Sequence, residues 1–326
     1  MNRNNLVLVS GVKPTGRPHI GNYFGAMSQF VELQNEYKSF IFIADLHALT
    51  SLQNPKELNE NIIDVALDYL AVGIDPKVTC IYKQSDVPQV AELAWVFNCI
   101  TTVPYLMRAH AFKDAEAKNK EINIGVFDYP MLMAADILIQ DADIVPVGAD
   151  QKQHLEITRD TAEKFNRIFG ETFTVPKERI LEKVETIPGT DGQKMSKSRD
   201  NVIGLFASDN EIKEAVMKIP TDSKEVDEPK DPETCKVFAL HKLFTEGPEF
   251  EDLLHRYESG GIGYKESKEI LIKNISNFIA PLREKRERLA QDKDIVIKIL
   301  KDGGEVARKR AEEKMEKVRQ AVGVSL

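Results

Sequence analysis

Two short stretches place hydroxyls, a histidine and lysines where phosphate chemistry could occur. The first, Pro14-Thr15-Gly16-Arg17-Pro18-His19-Ile20-Gly21-Asn22, joins an apolar run to a helical pattern, so that small residues, a hydroxyl and an imidazole meet the start of a helix. In a wound parallel sheet that is where backbone N–H groups and the helix dipole attract an anion. The string is neither a Walker A loop nor a dinucleotide fingerprint. Taken alone, His19 reads equally as a satisfied helix-start histidine or as a phosphate ligand. The second stretch is Lys194-Met195-Ser196-Lys197-Ser198, preceded by Pro188-Gly189-Thr190-Asp191-Gly192-Gln193. Two ammonium groups three residues apart on a mobile loop can close over a triphosphate and neutralise charge as pyrophosphate leaves. A third candidate is Asp136, one acid within the otherwise apolar Tyr129–Gln140 segment. Burying it unpaired would be costly, so it requires a donor: a helix-packing cation or a ligand N–H.

The elements that must position these groups follow from periodicity. Leu6–Ser10, Ser39–Asp45, Val78–Lys83 and Asp141–Val147 read as strands. Ile20, Phe24, Met27 and Val31 fall at helical spacing, and helices are expected over Lys56–Val72, Pro88–Thr101, Tyr129–Gln140 and Gln151–Phe169. The alternation predicts an α/β fold: a Rossmann-like parallel-sheet nucleotide-binding domain with a short insertion, followed by an all-helical C-terminal domain. Domain bounds are expected at 1–207 and 208–326, with a dimerisation-type insertion at about 102–125, the lysine loop at 188–200, and the last helix able to pack back on the first domain.

Composition narrows the classes. The 326 residues carry 44 Lys and Arg against 52 Asp and Glu, a net charge of −8, with 42% hydrophobic residues, which describes a soluble globular chain. No apolar run is long enough to span a bilayer, and the first residues do not read as a signal peptide, so a cytoplasmic location is expected. Cys80, Cys99 and Cys235 form no CxxC pair, so they suggest neither a disulfide framework nor a zinc site. The basic runs Arg283–Arg288 and Arg308–Arg319 are interleaved with glutamates and read as solvated helix faces.

The two loops together, in this order, resemble the paired signatures of class I aminoacyl-tRNA synthetases. The segment Tyr129-Pro130-Met131-Leu132-Met133-Ala134-Ala135-Asp136-Ile137-Leu138, followed by Val145-Pro146-Val147-Gly148-Ala149-Asp150-Gln151-Lys152-Gln153-His154, is similar to the bacterial-type tryptophanyl branch. Thr221-Asp222-Ser223 and Gly261-Ile262-Gly263-Tyr264 extend the resemblance through the helical part. It implies a ligase that activates L-tryptophan with ATP and transfers it to tRNA(Trp), a homodimer, a helical domain that contacts the anticodon, and Mg2+ carried with ATP rather than held by protein side chains.

By the same resemblance, Lys194 and Lys197 act on the leaving pyrophosphate, with Met195, Ser196 and Ser198 beside them. His19, Asn22 and Thr15 hold phosphates and ribose, near Lys13, Pro14 and Gly21. Gly148, Ala149, Asp150 and the backbone of Ile187 frame ribose and adenine. Asp136 accepts the indole N–H, and Gln151 reads the α-ammonium group. Tyr129, Met133, His47, Val145, Val147 and Gly11 line the ring, although Met and Val at such spacing also suit plain core. Lys13 stands where many relatives have glutamine, and Ala149 where many have an acid. An editing domain is not expected, since tryptophan is the largest amino acid and the insertion is short. Alternatives are a tyrosyl enzyme of the same subclass, a synthetase-like tryptophan- or RNA-binding regulator, and a pantothenate synthetase or cytidylyltransferase; the long helical half speaks against the last pair.

Overall fold

The computed structural model describes residues 5–109, 112, 113, 116, 122–147, 152–180 and 187–325. Five parallel strands form one sheet, β1 (Val7–Val12), β2 (Lys38–Ile43), β3 (Thr79–Lys83), β4 (Ile144–Val147) and β5 (Lys177–Ile180), in the order β3-β2-β1-β4-β5. Parallel strands covered on both faces need near-continuous apolar runs, which β1 and β2 supply with Val7, Leu8, Val9, Phe40, Ile41, Phe42 and Ile43, all buried. The strand order reverses direction at the β1/β4 pair, and in wound parallel sheets ligands bind beyond the carboxyl ends of the strands at such a switch point.

The helices are α1 (Ile20–Asn22), continued by a π-helical turn (Tyr23–Met27) into α2 (Ser28–Leu33), then α3 (Asp45–Ala48), α4 (Pro55–Val72), α5 (Gln89–Ile100), α6 (Val103–Leu106), α7 (Ile124–Leu138), α8 (Lys152–Phe169), α9 (Asp209–Met217), α10 (Lys236–Phe244), α11 (Gly247–Ser259), α12 (Tyr264–Ala290) and α13 (Lys293–Val322). The strands start and stop within a residue or two of the predicted ones for β2 and β3. The first predicted strand runs on to Val12, and the fourth starts later, at Ile144. The first predicted helix is interrupted by the π turn. β5 has no counterpart among the predicted strands.

The chain divides into two compact units whose bounds differ from the division expected at 207/208. The first comprises 1–16, 29–182 and 292–326; the second comprises 17–28 and 183–291. Local bonds account for both departures. Within the second unit, Ile20 N donates to Ile203 O and Leu205 N to Pro18 O, both at 3.0 Å, which ties the helix start to the segment after the lysine loop. Tyr23 and Phe24 join an aromatic cluster with Phe244 and Phe278, in which Phe24 stacks on Phe278 and the other pairs meet edge to face. Within the first unit, α13 lies on the sheet, with Ala307, Ala311, Met315 and Val318 buried in the same core as β1 and α7. Its backbone approaches β3 so closely that a Cβ on Gly303 would fall 2.0 Å from the Ile81 carbonyl oxygen. The smaller core of the second unit gathers Phe238, Leu253, Tyr257 and Ile262.

Candidate functional site

In the first unit, Asp136 is 2% exposed on α7 among Ala134, Ala135, Ile137 and Leu138, which are all buried. The donors come from the protein. Gln84 Nε2 donates to Oδ1 at 2.9 Å and to Oδ2 at 2.8 Å, and His47 Nε2 lies 3.0 Å from Oδ2. Asp136 therefore already has protein donors, from a glutamine and a histidine rather than a helix-packing lysine or arginine. Burial pushes its carboxyl upward, the hydrogen bond and charge of His47 and the Gln84 bond pull it back, and the Asp45 carboxylate adds to the rise. Gln84 is fully buried at the carboxyl end of β3, and its Oε1 accepts from Leu46 N at 3.1 Å and His47 N at 3.3 Å.

Tyr129 presents its ring edge-on to His47, with centroids 6.0 Å apart, and to His154, 5.1 Å apart; its hydroxyl shares a hydrogen bond with His154 Nε2. Met133 is half-buried against the main core, and Val145 lies inside that core at 3% exposure. Core packing therefore accounts for Val145. Gly11 pairs with Phe42 across the β1/β2 ladder, and a Cβ there would land 2.4 Å from the Phe42 ring. The bare backbone at Gly11 is thus occupied by a protein side chain on its Cβ side, a packing role that sequence reasoning did not anticipate. The side chain of Val147 and all of Gly148, Ala149, Asp150 and Gln151 lie outside the described residues.

Lys13 follows β1, half-buried, with its ammonium donating to Ser51 Oγ at 2.9 Å and Thr50 Oγ1 at 3.3 Å. Thr50 passes the bond on to the His47 carbonyl at 2.8 Å. Partial burial lowers the pKa of this ammonium. Pro14 is buried and Thr15 exposed.

In the second unit, His19 and Asn22 bracket the first turn of α1. His19 N donates to Asn22 Oδ1 at 3.0 Å, and Asn22 N returns a bond to His19 O at 2.8 Å. The imidazole is buried, and its Nδ1 has no partner among the described residues. Burial first, and then the Lys197 charge, lower its pKa to about 4, so at neutral pH His19 is an uncharged hydrogen-bonding group. A Cβ on Gly21 would sit 2.9 Å from His19 Nδ1, which explains glycine at that position.

The lysine loop is pinned at its backbone. Pro188 and Lys194 form an antiparallel bridge, and Met195 N donates to the Ile187 carbonyl at 3.0 Å. Asn201, 2% exposed, accepts from Ser196 N at 2.7 Å and donates to Asp191 Oδ1 at 2.7 Å and Lys194 O at 3.1 Å. Its bond to Asp191 is the main reason that carboxyl lies below the usual range. Met195 is buried, Ser196 and Ser198 share a hydrogen bond of 3.0 Å, and Lys194 and Lys197 are exposed. The arrangement can present two cations from a backbone of fixed shape.

Sequence reasoning missed Gln84, His154 and Asn201. Gln84 carried one usable signal: it is the first residue past a strand, on the side of a parallel sheet where binding groups collect.

The family model described as "tRNA synthetases class I (W and Y)" matches residues 1–280. The chain is 48% identical to a tryptophan-tRNA ligase of Fusobacterium nucleatum, with 97% of each covered, and 46% identical to one of Rhodopirellula baltica, with 97% of this chain and 99% of that protein covered. The crystal structure of tryptophanyl-tRNA synthetase from Campylobacter jejuni complexed with ADP and tryptophan superposes with a TM-score of 0.93 at 43% identity, covering 98% of this chain and 100% of that one.

Proposed function

Because the chain belongs to the class I tRNA synthetases for tryptophan and tyrosine, we propose that it is a tryptophan-tRNA ligase that uses ATP. The observation that carries the choice of amino acid is Asp136, a buried carboxylate on an apolar helix, held by Gln84 and His47. Near-full-length relatives that are tryptophan-tRNA ligases support it.

The chemistry has two steps. The amino acid's carboxylate oxygen attacks the α-phosphorus of ATP, the bond to the bridging oxygen breaks, and pyrophosphate leaves. A ribose hydroxyl at the 3′ end of tRNA(Trp) then attacks the carbonyl carbon, and AMP leaves as the hydroxyl proton is lost. No protein nucleophile is needed, so the residues align reactants and stabilise charge.

Lys194 and Lys197 are assigned to the charge that accumulates on pyrophosphate, and Met195, Ser196 and Ser198 to shaping their loop. Neutral His19 and Asn22 are assigned to ATP through hydrogen bonds, with Thr15, Pro14 and Lys13 on the preceding turn. Asp136 is assigned to the indole N–H, with Tyr129, Met133 and His47 as ring neighbours. The roles expected of Gly148, Ala149, Asp150 and Gln151 remain those that the family resemblance implies. Magnesium supplies phosphate neutralisation when bound. No three His, Cys, Asp or Glu side chains gather as a metal site among the described residues, and no protein ligand is assigned to it.

The helical region from residue 208, of which α13 belongs to the first unit, is assigned to contact with the tRNA anticodon. A homodimer is proposed from the large apolar side chains exposed in the first unit, Trp95 at 70%, Val103 at 60% and Ile124 at 78%. Among the described residues no helix is long and apolar enough to cross a membrane, which suits work in the cytoplasm. The test is ATP-dependent attachment of labelled tryptophan to a tRNA(Trp) transcript. Charging with tryptophan is expected, and charging of a tRNA(Tyr) transcript with tyrosine instead would replace this reading by its tyrosyl relative.

A further inference from the structure

Gln84 makes four hydrogen bonds with one amide. Its Nε2 reaches both oxygens of Asp136, and its Oε1 takes the backbone N–H groups of Leu46 and His47 at the start of α3. Backbone N–H groups only donate, so Oε1 must face them and the orientation of the amide is forced. The turn that carries Gln84 is itself locked to α3. Asp45 accepts from Ser85 N at 3.0 Å and Ser85 Oγ at 2.5 Å, and also from Leu46 N at 3.0 Å. One buried side chain therefore couples the acid on α7 to the element that carries His47.

A carboxylate offers about four lone-pair positions. Gln84 takes one on each oxygen and His47 a second on Oδ2, which among the described residues leaves one position on Oδ1. Gln84 is also a neutral donor. A lysine or arginine in its place would neutralise the acid, whereas an amide orients the carboxylate and leaves its charge for a ligand donor.

We propose that Gln84 is a positioning residue for amino-acid selection: it holds the Asp136 carboxyl as an oriented acceptor with an open lone pair on Oδ1, so the site favours a ring bearing N–H over a ring of the same shape without it. This rests on the assignment of Asp136 to the indole. The groups facing Asp136 are His47 and Asp45 from α3, Tyr82 from β3, and Gln84 itself. The Tyr82 hydroxyl is pushed far up by burial and by the Asp136 charge, so it stays protonated. Without the Gln84 donors, burial raises the Asp136 carboxyl further, and a protonated carboxyl presents a donor where the ring needs an acceptor.

The experiment compares tryptophan with β-(3-benzothienyl)alanine, in which sulfur replaces the indole N–H, by tryptophan-driven pyrophosphate exchange into ATP across pH. Unmodified protein, Gln84→Met and Gln84→Glu are measured in parallel. In Gln84→Met the preference for tryptophan should fall by about tenfold or more through KM, with the KM for ATP unchanged and the tryptophan KM worsening as pH is lowered. In Gln84→Glu the added carboxyl shares a proton with Asp136 and donates to it, so the preference should persist at low pH and fade as pH rises. Opposite pH trends in the two variants are not what a merely structural role would give. Retention of the full preference by Gln84→Met, or an equal loss of kcat on both substrates at every pH, would overturn the proposal alone. If Gln84→Met does not fold, a flat pH response in Gln84→Glu overturns it. Absence of any preference in the unmodified protein would overturn the indole assignment as well.

Discussion

Asp136 is held by bonds of 2.8, 2.9 and 3.0 Å from two side chains, Gln84 and His47, that come from two other segments of the first unit. The lysine loop distributes its bonds differently: Asn201 and Ile187 fix the backbone of Lys194–Ser196, and Lys194 and Lys197 are exposed residues. Selecting a ring by its N–H requires an acceptor that is oriented before the ligand arrives, because an unpaired buried carboxylate would be costly in the free protein. Neutralising a departing anion requires cations that can follow it as it moves, and a fixed backbone with exposed lysines suits that task. Affinity for the amino acid should therefore reside in the first unit, and the rate of the phosphate chemistry in the second.

The largest effect expected to break or sharpen this contrast comes from the loop. Replacing both lysines, Lys194→Ala with Lys197→Ala, should lower kcat for tryptophan-dependent pyrophosphate exchange by about a thousandfold, with the KM for tryptophan nearly unchanged. A rise in KM for tryptophan comparable to the loss in kcat would erase the division of labour.

Asp136→Asn should act in the opposite sense. It keeps the volume and removes the charge, so kcat/KM for tryptophan should fall by about a hundredfold, mostly through KM. Thermal stability should hold or rise near neutral pH, since ionising this buried acid opposes folding. A destabilised variant with an unaltered KM would identify Asp136 as a packing residue.

The two units should also respond to pH in opposite directions. In the second unit, His19 and His241 are lowered to about 4, each chiefly by burial. The unfolded chain then binds more protons between about pH 6.5 and 4, so stability is full above the ordinary histidine value and is lost as pH falls through the folded one. For deeply buried His241 the loss is about 3 kcal/mol. In the first unit, Asp136 is raised, so its contribution is present below the ordinary carboxylate value and declines as pH rises through the folded one. Hydrogen exchange resolved by segment should show α10 losing protection first on acidification, while α7 keeps it.

Lys13→Gln should give the smallest change. The ammonium is already held by Thr50 and Ser51, and a glutamine amide can donate to one of them. A shift of about two- to fivefold in the KM for ATP or tryptophan is expected, and kinetics equal to the unmodified protein for both would deny Lys13 a special role.

Much of this contrast was legible in the sequence, and the rest was hidden for identifiable reasons. Asp136 and the two lysines stood out because each breaks a local pattern: an acid in an apolar helix, and paired cations after a glycine-rich turn. The strands β2 and β3 were marked by continuous apolar runs. β5 was not, because Lys177-Glu178-Arg179-Ile180 has three charged residues in four and lies at the sheet edge, where charge discourages further pairing. Gln84 and Asn201 have no local pattern to break. Gln84 acquires meaning only through Asp136, 52 residues away, and Asn201 only through the loop that folds back on it. The packing role of Gly11 was hidden for a related reason, since its missing Cβ makes room for Phe42 on the neighbouring strand.

The most direct measurement is exchange of labelled pyrophosphate into ATP by the unmodified protein, without tRNA, with each amino acid supplied in turn. Exchange driven by tryptophan alone is the expected result, since ring selection is assigned to Asp136 and the leaving pyrophosphate to Lys194 and Lys197. Exchange driven by tyrosine, or by no amino acid, would contradict the assignment of that acid to an indole.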